Sequence, residues 1–204
     1  MKLSIIIPAY NEAATIAEVI RRAQAVPLPC EREIIVVDDG STDRTMRTLM
    51  EMPDRPIVSF PAHHGKGAAI QEGLDLATGD YVCTLDADLE LAPEDIPRLL
   101  THNIAVSGVR KGRTFANRLL SRFLGQHDIC CGLKVIRTDV LRSLNLKERG
   151  FGFECELTIK LQRAGYHIIE VPVSYTPRTH SQGKKMSLPH ALHCAWLTLS
   201  KGTL

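Results

Sequence analysis

Leu3-Ser4-Ile5-Ile6-Ile7-Pro8-Ala9-Tyr10-Asn11-Glu12 stands near the start of the chain. The stretch is short, apolar and isoleucine-rich to Ile7, then turns polar. A β-branched run of this length suits a strand buried on both faces, as in a parallel sheet. Directly behind it, Glu12–Ala25 carries Ile16, Val19, Ile20 and Ala23 at helical spacing. The same unit recurs. Ile34–Val37 predicts a second buried strand and Thr42–Met50 a helix. Pro56–Phe60 predicts a third strand. Lys66–Ala77 predicts a helix, with Gly79 just past its end as a stop signal, and Tyr81–Leu85 a fourth strand. Alternation of this kind implies right-handed βαβ units and a doubly wound, mostly parallel, Rossmann-like α/β sheet.

In such sheets ligands sit at the carboxyl ends of the strands. Three polar segments fall there: Pro8-Ala9-Tyr10-Asn11-Glu12, Asp38-Asp39-Gly40-Ser41-Thr42-Asp43 and Asp86-Ala87-Asp88. All three are expected at one rim of one sheet. Two carboxylates one residue apart, Asp86 and Asp88, can converge on a hard cation such as Mg2+ or Mn2+ together with substrate phosphates. Glu90 is either a third ligand or a group that orients the first two. A DxD triplet also occurs as plain solvated loop charge, and its place behind a buried strand favours metal binding. Asp39 can accept hydrogen bonds from a base or a ribose, while Asp-Gly-Ser-Thr-Asp is also turn and cap chemistry, with Ser41 or Thr42 capping the next helix. Tyr10 either stacks on a nucleobase or packs. His63-His64 reads as loop bordering the pocket rather than as a metal site.

The second half is less regular. Ile104–Val109 and Leu133–Ile136 predict strands, Thr114–Leu124 and Phe153–Ala164 helices, and Ile168–Tyr175 a strand broken by Pro172. No linker separates the halves. The expectation is therefore one domain over 1–186, with a nucleotide-binding half to about 100 and an acceptor half from about 101. A C-terminal amphipathic helix follows over 187–204. Its apolar stripe is Leu188, Ala191, Leu192, Ala195, Trp196 and Leu199, with His190, His193 and Thr198 on other faces. Trp196 with the preceding Lys184 and Lys185 suits a bilayer interface, and docking on the domain is the plainer alternative.

Bulk composition excludes several classes. A formal net charge of +2 is no polybasic nucleic-acid binder, so an anionic substrate must be held by local Arg and Lys. No run approaches the roughly 18 apolar residues of a membrane-spanning helix, and the N-terminal run is too short for a signal peptide. The six cysteines form no CxxC, and adjacent Cys130–Cys131 is poor disulfide or zinc geometry. They read as reduced thiols of an intracellular protein.

Taken together, Ile5–Glu12, Val36-Val37-Asp38-Asp39-Gly40-Ser41-Thr42-Asp43, Gly65-Lys66-Gly67-Ala68-Ala69, Thr78-Gly79-Asp80-Tyr81 and Leu85-Asp86-Ala87-Asp88-Leu89 resemble, in order and spacing, the family 2 glycosyltransferases with a GT-A fold. Several later segments resemble one branch, the dolichyl/polyprenyl-phosphate mannosyl- and glucosyltransferases. These are Ser107-Gly108-Val109-Arg110, Asp128-Ile129-Cys130-Cys131-Gly132-Leu133-Lys134, Gly152-Phe153-Glu154-Cys155-Glu156-Leu157, Gly165-Tyr166, Glu170-Val171-Pro172-Val173, and Arg178 with Lys184. Many of that branch carry Gln where Glu90 stands.

The resemblance implies that Pro8, Tyr10 and Glu12 line the nucleotide pocket, with Val37 and Asp39 around the base and Lys66 at the nucleotide-sugar. Asp86, Ala87, Asp88 and Glu90 would hold ribose, metal and diphosphate. Arg110, Arg178 and Lys184 would bind the diphosphate or an acceptor phosphate. The implied reaction is inverting hexosyl transfer from GDP-mannose or UDP-glucose to a polyprenyl or dolichyl phosphate, at the cytosolic membrane face or beside a membrane-anchored partner. An ionised phosphate acceptor requires no general base, only cations to let it approach the diphosphate. Arg110, Arg113, Arg118, Arg122, Arg178, Lys184 and Lys185 are the candidates. Glu154 and Asp128 are the competing signals: either, as a base, would point to a hydroxyl acceptor on a glycan or lipid. A nucleotidyltransferase usually shows a Gly-rich loop after the first strand, which Pro8–Glu12 lacks. A non-catalytic nucleotide-sugar binder is disfavoured by the intact Asp86-Ala87-Asp88.

Overall fold

The computed structural model describes residues 1–52, 57–101, 104–112, 115–178 and 188–199. Seven strands form one sheet. They are β1 (Lys2–Ala9), β2 (Glu31–Asp38), β3 (Ile57–Ser59), β4 (Tyr81–Thr84), β5 (Ala105–Arg110), β6 (Lys134–Arg137) and β7 (Ile168–Val173), in the order β3-β2-β1-β4-β6-β5-β7. β6 runs antiparallel to β4 and β5, and the other pairings are parallel. The helices are α1 (Ile16–Ala25), α2 (Thr45–Met50), α3 (Lys66–Leu76), α4 (Ile96–Leu99), α5 (Phe115–Phe123), α6 (Thr138–Ser143), α7 (Phe153–Arg163) and α8 (Leu188–Leu199).

The alternating side chains of β1 explain the layering. Ile5 and Ile7 point into one apolar cluster with Ile16, Val19 and Ile20 of α1 and Ile96 and Leu99 of α4. Ile6 points into the opposite cluster with Ala69, Ile70 and Leu74 of α3, Val140 and Leu141 of α6, and Phe153 and Leu157 of α7. All three isoleucines are fully buried, each worth about 1.5–3 kcal/mol of transfer free energy. The sheet is therefore sandwiched between two helical layers, and its carboxyl rim carries the loops.

All seven expected strands form. Pro56, expected to open β3, lies outside the described residues. β7 runs unbroken through Pro172, which pairs with Val109. β7 is the last strand in the order, and there a missing N–H leaves no ladder bond unmade on its outer side. Neither Ser41 nor Thr42 caps α2. Its first N–H, from Thr45, is bound by Asp43 Oδ1 at 2.8 Å, and Ser41 Oγ accepts the Asn11 N–H instead. The short helices α4 and α6 were not foreseen.

Candidate active site

A cavity of about 860 Å3 opens at the carboxyl rim. The end of β1 supplies Pro8, Ala9, Tyr10 and Glu12, the end of β2 Asp39, and the end of β4 Asp86, Ala87, Asp88 and Glu90. Arg110 enters from the end of β5. Gly65 and Lys66 come from the amino end of α3, and Gly152 and Glu154 from that of α7. The three polar segments expected at one rim thus share one cleft.

The wall at the end of β2 is organised by Asp39. That buried carboxylate accepts the N–H groups of His64 (2.7 Å) and Gly65 (2.9 Å), and His63 Nδ1 lies 2.8 Å from Oδ2. His63 in turn stacks on Tyr10, with centroids 4.1 Å apart and planes at 26°. Val37 is fully buried among Ile35, Val58 and Phe60, below the cavity rather than in its lining.

At the floor, Lys66 Nζ bridges two carboxylates, 2.6 Å from Asp86 Oδ1 and 2.5 Å from Glu154 Oε1. Burial alone would drive the ammonium toward neutrality. The two carboxylates outweigh it and hold the Lys66 pKa above the ordinary lysine range. Glu154 is raised, chiefly by burial and against the pull of Lys66. Burial and then the charge of Asp86 push Asp88 up to about 7. Two acidic groups so crowded that one tends to keep its proton fit a divalent cation, whose charge would relieve both. Leu89, directly after them, sits at φ 59°, an uncommon backbone state that turns the chain sharply. Glu90 lines the cavity too, but its Oε1 accepts the Arg178 N–H at 2.8 Å, and its N–H donates to Asp88 Oδ1 at 3.0 Å. Among the described residues, no three carboxylates gather their oxygens within 4.8 Å. Asp86 and Asp88 are thus the pair on offer, and the Glu90 backbone N–H is bonded to Asp88.

At the end of β5, Arg110 reaches the cavity but is gripped from behind. Asp128 accepts from its Nε (2.8 Å), Nη2 (2.9 Å) and backbone N–H (3.0 Å), and also from Asn117 Nδ2 at 2.7 Å. Burial lowers and Asp128 raises the Arg110 pKa, and the carboxylate wins. The Arg110 guanidinium also lies over the Tyr175 ring, 5.2 Å from its centroid. Asp128 is buried and is not in the lining, so it steadies Arg110 rather than facing a substrate. Arg178 turns to Glu12, with bonds of 3.1 and 2.8 Å, and is likewise absent from the lining. Arg118 and Arg122 are exposed on α5 and stay outside the cavity. Arg113, Lys184 and Lys185 lie outside the described residues.

Other lining residues carried no signal that sequence reading caught. Arg149, Gly150 and Phe151 are held over the cavity because residues 148–149 lie against α3: the Ala68 N–H donates to Arg149 O at 2.9 Å, and a Cβ on Gly67 would meet Glu148 O at 2.1 Å. Gly132 stands behind Asp86, where a Cβ would lie 2.1 Å from Oδ2. The run Cys131-Gly132-Leu133 was quotable as a motif, and only the packing shows which carboxylate needs the space.

A family model described as "Glycosyl transferase family 2" matches residues 4–109, just over half of the chain. The chain belongs to glycosyl transferase family 2. Within the family, it is 32% identical over 206 aligned positions to the undecaprenyl-phosphate 4-deoxy-4-formamido-L-arabinose transferases of Pseudomonas aeruginosa (strain LESB58) and Edwardsiella ictaluri (strain 93-146). Those alignments cover 89% of this chain and 60% and 62% of the relatives, so the chain spans about three fifths of their length. Among solved structures, the Mycobacterium tuberculosis glucosyl-3-phosphoglycerate synthase in complex with Mn2+, UDP-glucose and glycerol 3-phosphate is 27% identical. It superposes with a TM-score of 0.76 over 98% of this chain and 79% of that one. The same enzyme with phosphoglyceric acid gives 25% and 0.77, with the same coverage. The α/β fold with its mostly parallel seven-stranded sheet is therefore the GT-A fold of this family.

Proposed function

We propose that the chain transfers a sugar, with inversion, from a nucleotide-sugar to a polyprenyl phosphate, assisted by Mg2+ or Mn2+ at Asp86 and Asp88. One observation carries the reading: Lys66 neutralises Glu154 at 2.5 Å inside the cleft that Asp86 and Asp88 share. The carboxylate best placed to act as a base is thus tied to a cation. An ionised phosphate acceptor has no proton to give up and needs no such base. Arg110 and Arg149 line the same cleft and supply positive charge where an anionic acceptor would approach an anionic diphosphate. The names of the Pseudomonas and Edwardsiella relatives, which specify undecaprenyl phosphate, support this acceptor class. The Mn2+ and UDP-glucose named with the mycobacterial enzyme support the donor and cation classes.

The chain's own groups divide the work. Tyr10 and His63 offer a flat stacked wall for a base. Asp39 fixes the loop that carries His63. The amino ends of α3 and α7 favour negative charge at the floor. Asp86 and Asp88 would hold the cation, which when bound supplies charge to the departing diphosphate. Arg110, kept rigid by Asp128 and Tyr175, orients the acceptor.

The test is transfer of radiolabelled sugar from GDP-mannose, UDP-glucose or a nucleotide-linked 4-deoxy-4-formamido-L-arabinose to polyprenyl phosphate, with and without Mg2+ or Mn2+. Product is expected with one donor, dependent on the cation, and abolished in Asp88→Ala with the fold intact. Unchanged transfer in that variant overturns the reading. A hydroxyl acceptor is the second reading, favoured by the burial and raised pKa of Glu154 inside the cleft. Glu154→Gln separates the two. Loss of a general base would lower turnover by roughly 10²–10⁴-fold. With a phosphate acceptor the fall should stay within about tenfold.

A further inference from the structure

Three cysteines that lie far apart in sequence converge in space. Cys130 comes from the loop between α5 and β6, Cys155 from α7 and Cys194 from α8, and their sulfurs all lie within 4.8 Å of one another. Leu124, Ile129, Ile159 and Leu197 surround them, with Cys155 and Cys194 buried. Cys130 is half-buried and also lines the large cavity, so the cluster has a way in for a solute. Its neighbour Cys131 takes no part and packs in the main core with Leu133 and Val135. Glu154, next to Cys155, is turned to Lys66 and offers no oxygen here.

A core has no need to aim three sulfurs from three separate elements at one point, whereas a metal site does. Zinc–thiolate bonds of about 2.3 Å set sulfurs roughly 3.8–4 Å apart around a shared ion. That spacing falls inside the separation the three already keep. Thiolates select soft or borderline ions, and the oxygen ligands Asp86 and Asp88 select hard ones. The two sites would therefore take different metals. We propose that Cys130, Cys155 and Cys194 form a three-thiolate site for a divalent ion of the zinc class, distinct from the carboxylate site. The ion displaces three thiol protons to solvent, leaving an M(SR)3 centre of net charge −1. Cys130 holds its cavity side open for a fourth ligand such as water. The centre pins α8 and α7 to the loop beneath the acceptor side of the cleft.

Cobalt(II) tests this directly on the reduced, metal-free full chain. One equivalent should produce sulfur-to-cobalt charge-transfer absorption in the near ultraviolet. An equivalent of Zn2+ should bleach it, and excess Mg2+ should not. Cobalt at Asp86 and Asp88 gives no such band, so Asp88→Ala should leave it unchanged. Cys155→Ser and Cys194→Ser should each weaken cobalt binding at least tenfold. Should either variant fail to fold, a second measurement on the unaltered chain decides. Zn2+ should protect Cys130, Cys155 and Cys194 from alkylation, read by peptide mass spectrometry, while Cys30 stays reactive. Absence of the band, its persistence in both cysteine variants, or alkylation indifferent to Zn2+ each overturns the proposal.

Discussion

Lys66 occupies a position where charge balance is delicate. Its ammonium is largely buried and serves two carboxylates at once. Removing one partner of a buried ionic group strands the rest, at a cost of about 3–5 kcal/mol. Lys66→Met should therefore lower stability by about 3 kcal/mol, seen as a shift of the urea midpoint with an unchanged slope. Adding Glu154→Gln to it should recover part of the loss, because the stranded charge is gone. A Lys66→Met chain as stable as the parent would show that Asp86 and Glu154 tolerate each other without it. Gly132 makes the complementary case, in which geometry rather than charge is at stake. Gly132→Ala forces Asp86 Oδ2 away from a Cβ at 2.1 Å. Transfer should fall by at least tenfold in Gly132→Ala while the circular dichroism spectrum holds, and full transfer would mean that Asp86 can shift freely.

At the level of elements, three strands are tied at the rim opposite the cleft by one residue of β2. The Glu33 carboxylate lies 2.7 Å from Lys2 Nζ of β1 and accepts from Ser4 Oγ at 2.5 Å and from the Thr78 N–H before β4 at 2.7 Å. Burial would raise its pKa, but these donors outweigh burial and hold it down at about 2, against the ordinary 4.5. A depressed carboxylate stabilises the fold above its unfolded pKa and loses that contribution as pH falls through the folded value. Glu33→Gln should thus be less stable than the parent by about 1–2 kcal/mol at neutral pH, after solvent screening. The gap should close between about pH 4.5 and 2 in a series of urea melts, and a gap constant with pH would rule out this linkage. Elements of this size were legible in sequence when one local pattern defined them. β1 and β2 announced themselves by β-branched runs, and α1 by the spacing of Ile16, Val19 and Ile20. Helices α4 and α6 did not: α4 has only four residues, and α6, no shorter than the expected α2, follows β6 in the half where the regular strand–helix alternation fades. The insertion of antiparallel β6 between β4 and β5 is a long-range pairing that no local run encodes. In the cleft, Asp39, Asp86 and Asp88 could be read because they follow strands directly. His63 could be read as loop bordering the pocket, and it lines the cavity, whereas Arg149 and Gly132 acquire their places only when distant segments pack.

Across the whole molecule, the C-terminal helix α8 relates the cleft to its surroundings. Of the expected stripe of Leu188, Ala191, Leu192, Ala195, Trp196 and Leu199, Ala195 packs against the inner cluster, whereas Leu192 and Trp196 do not. Cys194, Leu197 and Thr198 turn inward, while Leu192 and Trp196 are 63% and 59% exposed. Leu119 of α5, the helix that packs on α8, is exposed as well. Both helix faces carry apolar residues, so periodicity alone could not choose between them. His193 of the same helix lines the cavity, so one element spans the exposed apolar residues and the cleft. Among the described residues, no helix is long and apolar enough to cross a membrane. The proposed acceptor, a polyprenyl phosphate, resides in a bilayer, and an exposed Trp and Leu beside the cleft would let its head group enter while its tail stays in lipid. The double substitution Leu192→Glu, Trp196→Glu should reduce flotation with liposomes by tenfold or more, since each buried side chain contributes about 1.5–3 kcal/mol. The same variant should need more long-chain polyprenyl phosphate for half-maximal transfer in vesicles, with turnover of a short, water-soluble prenyl phosphate unchanged. Equal flotation of variant and parent would leave α8 as a docked helix with no part in meeting the lipid.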